Sequence, residues 1–232
     1  MKGNRRRVSR SDSVLVVGLG RFGSAVAQSL IEMGKEVLAI DEDADLVQRW
    51  SADLTHTVQA DTTDEESLRQ LGVADYERAV VAIGTDVEAS VLTVLALSEA
   101  GVQEIWAKAI TAKHGLILER IGAHHVVYPE RAMGQRVAHM LAGSMDDYLE
   151  FEGGYAMARI QAPIILWGVP LKDSAARRRY RVTVVGIKSP GEPFTYADNE
   201  TIVHRGDQII ISGPVKNLEE FSQLPTELPP DD

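Results

Sequence analysis

The stretch VLVVGLGRFG, residues 14–23, decides the fold of this chain. Four apolar residues lead into the spacing Gly18-x-Gly20-x-x-Gly23, and apolar residues at helical spacing follow it. In such a turn the first glycine permits the tight bend, the second lets a pyrophosphate approach the backbone, and the third lets helix and strand pack closely. The phosphates then lie on free N–H groups at the positive end of the helix. The stretch predicts an adenine-nucleotide site, with a purely structural glycine turn as the alternative.

Polar and small residues follow at the carboxyl ends of the next predicted strands, where open α/β sheets bind ligands. Asp41 ends the second strand and is placed to accept hydrogen bonds from ribose hydroxyls. Asp61, after the third strand, is predicted either to contact the adenosine or to cap the next helix. Ala82, Ile83 and Gly84, after the fourth strand, are small enough to let a nucleotide lie against the backbone.

Arg21 is the unusual residue of the glycine loop. A guanidinium at this position can reach an exposed phosphate, which favours ATP or ADP over a dinucleotide whose pyrophosphate is internal. The alternative is a surface arginine at the start of a helix, where the helix dipole disfavours a positive charge. That unfavourable placement indicates a functional role for Arg21.

Short β-branched runs alternate with helical patterns through the first two-thirds of the chain. The predicted strands are residues 14–17, 36–40, 56–59, 79–83, 105–109 and 125–128. The predicted helices between them are residues 23–33, 44–52, 65–71, 87–100 and 113–121. Apolar strands of this kind suit a sheet covered on both faces, so the pattern predicts an α/β fold with a Rossmann-like, doubly wound parallel sheet.

The remainder of the chain has a different character. A further helix is predicted from residue 129 to about 141, and it leads out of the sheet. Predicted strands 155–161, 182–188, 194–196 and 208–212, with one helix around 174–180, form a smaller α+β lobe. We therefore predict a disordered basic tail over 1–11, a nucleotide-binding domain over 12–145, a C-terminal lobe over 146–224 and an unstructured tail over 225–232.

Composition and charge narrow the classes of function. The chain has no cysteine, a net charge of −10 and 44% hydrophobic residues. These values suit a cytosolic globular protein and argue against nucleic-acid binding, which needs a basic face. No apolar run approaches the length that spans a bilayer, and the arginine-rich N-terminus lacks the apolar stretch of a secretory signal.

An ordered series of short motifs resembles the RCK family, the regulators of potassium conductance. The series comprises GLGRFGS (18–24), AID (39–41), QAD (59–61), VAIG (81–84), EAS (88–90), IWAK (105–108), IGA (121–123) and YPERAMG (128–134). The resemblance is strong over residues 12–145 and looser to about residue 224, and it is nearest to the cytosolic gating subunits of Ktr and Trk potassium transporters. It departs mildly at Thr62-Thr63, where relatives commonly have Ala-Thr.

The resemblance implies a regulatory subunit rather than an enzyme. It implies dimers that assemble into an octameric ring beneath a membrane potassium channel or transporter subunit, with the ring's shape set by the nucleotide. Arg21 matches a residue that reaches terminal phosphates from the neighbouring subunit, and Lys108 lies near the subunit interface. Glu130 matches an acid associated with Mg²⁺ or Ca²⁺ between paired subunits. Some relatives also bind cyclic di-AMP between their C-terminal lobes.

The predicted nucleotide contacts combine the motif and the resemblance. They are Gly18, Gly20, Arg21, Phe22, Gly23, Asp41, Asp61, Thr62, Ala82, Ile83, Gly84 and Lys108. ATP or ADP is the predicted ligand, and NAD or NADH the alternative. Glu130 cannot hold a divalent cation alone, because such ions need several oxygen ligands, so further ligands must come from symmetry or from phosphates.

Other readings of the sequence remain open. An NAD-dependent oxidoreductase explains the glycine loop and Asp41 equally well, but the second lobe offers no recognisable catalytic acid or base. A redox-sensing transcription factor lacks a helix-turn-helix segment. His124, His125 and His139 lack the spacing of metal ligands and are predicted to be structural. The run 177–179, three arginines, is predicted to be a solvated helix face, with cyclic di-AMP phosphates as the alternative.

Overall fold

A computed structural model describes residues 13–174 and 176–228. The chain divides into two compact units after Glu130. The basic tail predicted over 1–11 and the last four residues of the C-terminal tail lie outside the described residues. No helix within the described ranges is long and apolar enough to cross a membrane.

The first unit is built on a six-stranded parallel sheet with the order β3-β2-β1-β4-β5-β6. Its strands are β1 (Ser13–Val17), β2 (Glu36–Asp41), β3 (His56–Gln59), β4 (Arg78–Val81), β5 (Glu104–Lys108) and β6 (His125–Val127). The order reverses at β1, whose neighbours are β2 and β4. This reversal creates a crevice at the carboxyl ends of the strands, as in doubly wound sheets.

Helices cover the two faces of this sheet. They are α1 (Arg21–Glu32), α2 (Ala44–Trp50), α3 (Glu65–Leu71), α4 (Val87–Glu99) and α5 (Ala112–Arg120). Alternate residues of β1 enter two cores: Leu15 and Val17 pack with α3, α4 and α5, whereas Val14 and Val16 pack with α1 and α2. The burial of β1 on both faces explains its continuous apolar run, and the predicted Rossmann-like fold is confirmed.

The second unit centres on a five-stranded sheet with the order β10-β9-β11-β8-β7. Its elements are α6 (Pro129–Gly143), β7 (Asp147–Phe151), β8 (Tyr155–Gln161), β9 (Thr183–Lys188), β10 (Thr195–Tyr196), β11 (Gln208–Pro214) and α7 (Val215–Ser222). All neighbouring strands described in this sheet pair antiparallel. A short 3₁₀ turn at Ile164–Leu166 and a π-helical turn at Ala176–Tyr180 complete the unit. The predicted smaller α+β lobe is thus present.

Two details differ from the sequence-based expectations for this unit. We predicted that α6 belongs to the first domain, with a boundary near residue 145, whereas the units divide after Glu130. The reason is packing: Met140 joins the core of the second unit, and the ring of His139 stacks on Tyr148 with centroids 4.3 Å apart. The C-terminal tail predicted from residue 225 is also tied at its start, because the carbonyl of Pro225 accepts a hydrogen bond from the Ile164 N–H.

Candidate functional site

A cleft of about 520 Å³ lies at the carboxyl ends of the strands of the first unit. It brings together predicted residues from the carboxyl ends of five different strands and the loops that follow them, and these residues are far apart in the sequence. Every predicted nucleotide contact except Gly23 lines it, and so does Glu130. The cleft is also lined by residues that the sequence did not single out, among them Glu42, Asp43, Leu46, Thr85, Asp86 and Ile110.

The three glycines of the loop have three different surroundings. Gly18 has a φ of +92°, and a Cβ added to it would lie 3.2 Å from the carbonyl carbon of Ala82. A Cβ added to Gly23 would lie 1.8 Å from the carbonyl oxygen of Gly18, so this position requires glycine for packing, and Gly23 does not line the cleft. Gly20 faces open space, with nothing within 4 Å of an added Cβ. This is the pattern that a pyrophosphate-binding turn requires.

Helix α1 presents its N-terminus to this loop. It begins at Arg21, two residues earlier than predicted, and Gly20 is its N-cap residue. Gly20 has no side chain to cap the helix, and the first turn of α1 contains no acidic residue. The first backbone N–H groups of a helix have no intrahelical partner and carry a partial positive charge, so an anion is favoured here.

Asp41 fixes the loop from the end of β2. Its Oδ2 accepts a hydrogen bond of 2.5 Å from the N–H of Leu19, and its Oδ1 accepts one of 2.9 Å from the N–H of Asp43. A carboxylate has about four acceptor positions, so both oxygens can still accept from ribose hydroxyls. Sequence reasoning predicted that Asp41 binds a ribose, and it did not predict that Asp41 also holds the glycine loop in place.

Asp61 and Thr62 both line the cleft, but the first is exposed and the second is buried. Asp61 is exposed, and its Oδ1 accepts hydrogen bonds from the N–H and the hydroxyl of Thr63. It does not cap α3, because Asp64 is the N-cap residue of that helix. The hydroxyl of Thr62 is buried and lies 2.8 Å from the hydroxyl of Thr93. The Thr62 hydroxyl thus links the loop after β3 to α4, and the predicted contact of Thr62 with a nucleotide stays a prediction.

Lys108 and Glu130 form an ion pair at the opposite side of the cleft from Asp41. The Lys108 Nζ lies 2.7 Å from Glu130 Oε1, and the Lys108 side chain is 12% exposed whereas that of Glu130 is 63% exposed. The hydrogen bond from Lys108 lowers the pKa of the Glu130 carboxyl, and the backbone N–H of Glu130 and the charge of Arg21 act in the same direction. Sequence reasoning named both residues but did not predict that they contact each other.

The divalent cation predicted at Glu130 finds no ligand set. Within residues 13–174 and 176–228, no group of three or more His, Asp or Glu side chains is arranged to hold a metal ion. The one carboxylate in question already accepts a hydrogen bond from an ammonium group, which a cation would have to displace. A cation at Glu130 therefore stays a prediction that depends on ligands from a second subunit or from phosphates.

The histidines serve structure. His124 Nδ1 accepts a hydrogen bond from the N–H of Ile105, and His125 stacks on Trp106 with centroids 4.0 Å apart. In the second unit His139 Nδ1 lies 2.9 Å from Glu219 Oε1. These contacts agree with the predicted structural roles.

The second unit carries a cavity beside the arginine run. Its volume is about 920 Å³, and its lining includes Lys172, Arg177, Arg178, Asp198 and Asn199. The cationic side chains suit an anionic ligand in principle. The predicted binding of cyclic di-AMP by this lobe stays a prediction.

Known proteins resemble the chain over nearly its whole length. Residues 14–129 match the TrkA-N domain family, and residues 156–225 match the TrkA-C domain family. The chain is 37% identical over 209 residues to Ktr system potassium uptake protein C of Bacillus subtilis (strain 168), covering 90% of this chain and 95% of the relative. The chain belongs to the TrkA and Ktr family of potassium uptake proteins. A second relative, Ktr system potassium uptake protein A of Vibrio alginolyticus, is 38% identical over 204 residues and covers 88% of this chain and 93% of its own length.

Solved structures share the fold of this Ktr family chain. The GsuK RCK domain superposes with a TM-score of 0.65 at 17% identity, covering 95% of this chain and 49% of the GsuK chain. The GsuK channel bound to NAD gives a TM-score of 0.62 at 18% identity and covers 96% of this chain and 41% of its own. The chain thus spans about half the length, or less, of these neighbours, and the likeness concerns the fold.

These comparisons confirm the predicted resemblance to the RCK family. They also confirm the class of function, because this Ktr family chain is a regulator of potassium transport and not an enzyme. The NAD-dependent oxidoreductase considered from the sequence is therefore set aside.

Proposed function

We propose that this chain is the cytosolic regulatory subunit of a Ktr-type potassium uptake system, and that ATP or ADP binds in the cleft of its first unit. The nucleotide state would set the arrangement of paired subunits and thereby the flux through a membrane partner. The observation that carries the proposal is the order of chemical groups along the cleft. The carboxylate of Asp41 comes first, the glycine loop follows, and the cationic side chains of Arg21 and Lys108 come last.

The strand order spaces these groups. Asp41 ends β2, the glycine loop follows β1, and Lys108 ends β5. In the sheet β1 and β4 separate β2 from β5, so Asp41 and Lys108 are about 14 Å apart along the edge at the usual strand spacing. A ribose at Asp41 and phosphates over the N-terminus of α1 leave the terminal phosphates directed towards β5. There Arg21 and Lys108 supply positive charge.

The cations favour a nucleotide with an exposed phosphate chain over a dinucleotide. In an NAD-like ligand the pyrophosphate is internal, and a second nucleoside would lie where Arg21 and Lys108 line the cleft. Guanidinium and ammonium groups form stronger, charge-assisted hydrogen bonds with phosphate oxygens than with neutral groups. NAD or NADH remains the alternative ligand, and GsuK, a protein of the same fold, has been solved with NAD and with ADP.

Assembly is the second part of the proposal. Apolar side chains of α6 stand exposed at positions spaced by one helical turn: Met133 at 53%, Val137 at 40% and Leu141 at 81%. Such an apolar stripe supports pairing with a second copy. We propose a homodimer built on this stripe, further assembly into an octameric ring, and attachment of the ring to the membrane subunit of the Ktr system at the cytoplasmic face.

Regulation requires that the nucleotide bind one arrangement of the subunits more tightly than the other. A ligand that lies in the cleft of one subunit, beside that subunit's Arg21, and that is also contacted by Arg21 of a neighbouring subunit satisfies this condition, because a rotation of the subunits changes the second contact. The proposal therefore assigns to Arg21 the ability to distinguish ATP from ADP.

Calorimetric titration with ATP, ADP, NAD⁺ and NADH tests the ligand. We expect ATP and ADP to bind, and we expect Arg21→Ala to reduce their difference in affinity. Arg49→Ala, at the last turn of α2, is the matched control and should leave both affinities unchanged. Binding of NADH with no binding of ATP would overturn the ligand assignment in favour of the dinucleotide alternative.

A further inference from the structure

We propose that Thr93, a buried residue of α4 that does not line the cleft, is a positioning residue for nucleotide binding. Its hydroxyl holds one end of the β3 loop, residues 60–63, which forms a wall of the cleft, and it thereby fixes the place of Asp61. The inference rests on the proposed nucleotide function, and it deepens that function by assigning a role to a residue outside the cleft.

Thr93 and Thr62 form a closed pair of hydroxyl groups. Thr93 is 0% exposed and Thr62 is 6% exposed. Their Oγ1 atoms are 2.8 Å apart, and Thr93 Oγ1 also lies 3.4 Å from the carbonyl oxygen of Thr62. One arrangement uses both protons: the Thr62 hydroxyl donates to Thr93 Oγ1, and the Thr93 hydroxyl donates to the Thr62 carbonyl. Because a buried hydroxyl without a partner costs free energy, this pair resists a displacement of the β3 loop.

The β3 loop is held at both ends, and Asp61 lies between them. At the first end the N–H of Ala60 donates a hydrogen bond of 3.0 Å to the carbonyl of Asp41. At the second end Thr62 contacts Thr93. Asp61 itself is exposed, and the hydrogen bonds that it accepts within the loop go to Oδ1, so its other carboxylate oxygen can accept from a ligand. The position of this carboxylate therefore depends on Thr93.

The place of the β3 loop in the cleft decides which part of a nucleotide it serves. β3 lies at one end of the sheet, beside β2, whereas Lys108 ends β5. In the proposed binding mode the ribose lies at Asp41, next to the β3 loop, and the terminal phosphates are directed towards β5. A displaced β3 loop thus weakens contacts with the nucleoside, which ATP and ADP share. Thr93 should therefore contribute equally to the affinity for both nucleotides, whereas Arg21 should distinguish them.

A double-mutant cycle between Thr93 and Asp61 in the full-length protein tests the inference. ATP and ADP are titrated by calorimetry into the wild type, Thr93→Val, Asp61→Asn and the double variant. Valine keeps the branched shape of threonine and removes the hydroxyl, whereas Thr93→Ser keeps the hydroxyl. Ser90→Ala is the matched control, because Ser90 is also 0% exposed on α4 and its Oγ has no hydrogen-bond partner among the described residues.

Melting temperatures measured without nucleotide establish that each variant is folded. If the single valine unfolds the first unit, Thr62→Val is combined with it, so that no buried hydroxyl is left without its partner. Replacing both partners by apolar groups of the same shape has little effect on stability, and the loop still lacks its hydrogen bonds to α4.

We expect Thr93→Val to weaken the binding of ATP and ADP by the same factor, about fivefold, which corresponds to the loss of one hydrogen bond. Asp61→Asn should weaken binding in the wild-type background and add little in the Thr93→Val background, because the loop no longer presents Asp61 to the ligand. Thr93→Ser and Ser90→Ala should bind both nucleotides like the wild type.

Three results would overturn the inference alone. They are wild-type affinity in Thr93→Val, a Thr93→Ser variant that binds as weakly as Thr93→Val, and an equal effect of Asp61→Asn in the two backgrounds. The last result would mean that Thr93 does not act through Asp61. A wild-type protein that binds neither ATP nor ADP would instead overturn the proposed function, and the inference with it.

Discussion

At the scale of single residues, the glycine loop separates requirements of folding from requirements of binding. Gly23 lies against the Gly18 carbonyl and the Ala82 side chain, whereas Gly20 faces open space in the cleft. The same substitution at these two positions should therefore affect different properties of the protein.

We expect Gly23→Ala to destabilise the first unit by about 1–3 kcal/mol. The added methyl group would overlap the carbonyl oxygen of Gly18, so the backbone of the loop and of α1 would have to move apart. Gly20→Ala should leave the melting temperature nearly unchanged and weaken ATP binding, because its methyl group enters the space where the pyrophosphate approaches. Thermal melting and calorimetry on both variants measure this. A loss of stability in Gly20→Ala equal to that in Gly23→Ala would contradict the assignment.

Asp41 should matter before any ligand binds. Replacing it with Asn weakens the acceptors for the N–H groups of Leu19 and Asp43, and one hydrogen bond to a charged group contributes about 1.5–3 kcal/mol. We expect Asp41→Asn to lower the melting temperature in nucleotide-free buffer as well as the affinity for ATP. Asp53→Asn, at an exposed site outside the cleft, is the control for charge. An unchanged melting temperature for Asp41→Asn would limit Asp41 to a ligand contact.

The sequence allowed us to predict the residues that belong to one local motif. It did not allow us to predict contacts between side chains that are far apart along the chain. The glycine spacing and the position of Asp41 at a strand end could be recognised along the chain. The contacts Thr62–Thr93 and Lys108–Glu130 join residues of separate loops and helices, and their geometry depends on how the strands align. Without that alignment, neither of these two contacts could be predicted from the sequence.

At the scale of elements, α6 is tied to β7 by an ion pair. The Nε of Arg136 lies 3.1 Å from Asp147 Oδ1, and a second nitrogen of the guanidinium also contacts this oxygen. The hydrogen bond from Arg136 lowers the pKa of Asp147 below 3.8, against the opposing effect of burial, and the N–H of Tyr148 adds to the lowering.

Because the pKa of Asp147 is lowered, the stabilisation that comes from its ion pair with Arg136 depends on pH in a defined direction. A carboxyl group whose pKa is lower in the folded state stabilises the fold above its unfolded pKa, and this contribution is lost as pH falls through the folded value. Both side chains are 43% exposed, so screening limits the contribution to about 1 kcal/mol at most. We expect Asp147→Asn to lower the melting temperature at pH 7, and we expect this deficit to shrink as the pH falls below the unfolded pKa of the carboxyl. Asp53→Asn is the control, and a deficit that persists in acid would contradict this origin.

The helices and strands of the first unit follow from periodicity, with ends that shift by one or two residues. β3 and α3 occupy the predicted residues, because Asp64 caps α3 and Gly72 ends it. In the second unit, β7 and α7 were not predicted. β7 is an edge strand with mixed polar and apolar residues, so it lacks the apolar run that predicts a strand, and α7 follows β11 directly at Pro214.

At the scale of the whole molecule, the proposed dimer rests on the exposed stripe of α6. Leu141 is 81% exposed within one chain and would be buried in the proposed interface. We expect Leu141→Glu to reduce the mass of the assembly, because the glutamate would place an unpaired charge in that interface. Met33→Glu, at a side chain that is 74% exposed after α1, is the control. Light scattering during size-exclusion chromatography measures the mass, and an unchanged mass for Leu141→Glu would exclude this face of α6 as the interface.

The most direct test of the central claim is potassium flux through the membrane subunit of a Ktr system reconstituted in liposomes with this protein. We predict that flux differs between ATP and ADP when both are saturating, and that the difference is lost in Arg21→Ala. Equal flux with the two nucleotides, in a preparation shown by calorimetry to bind both, would contradict the claim that nucleotide state regulates transport through this chain.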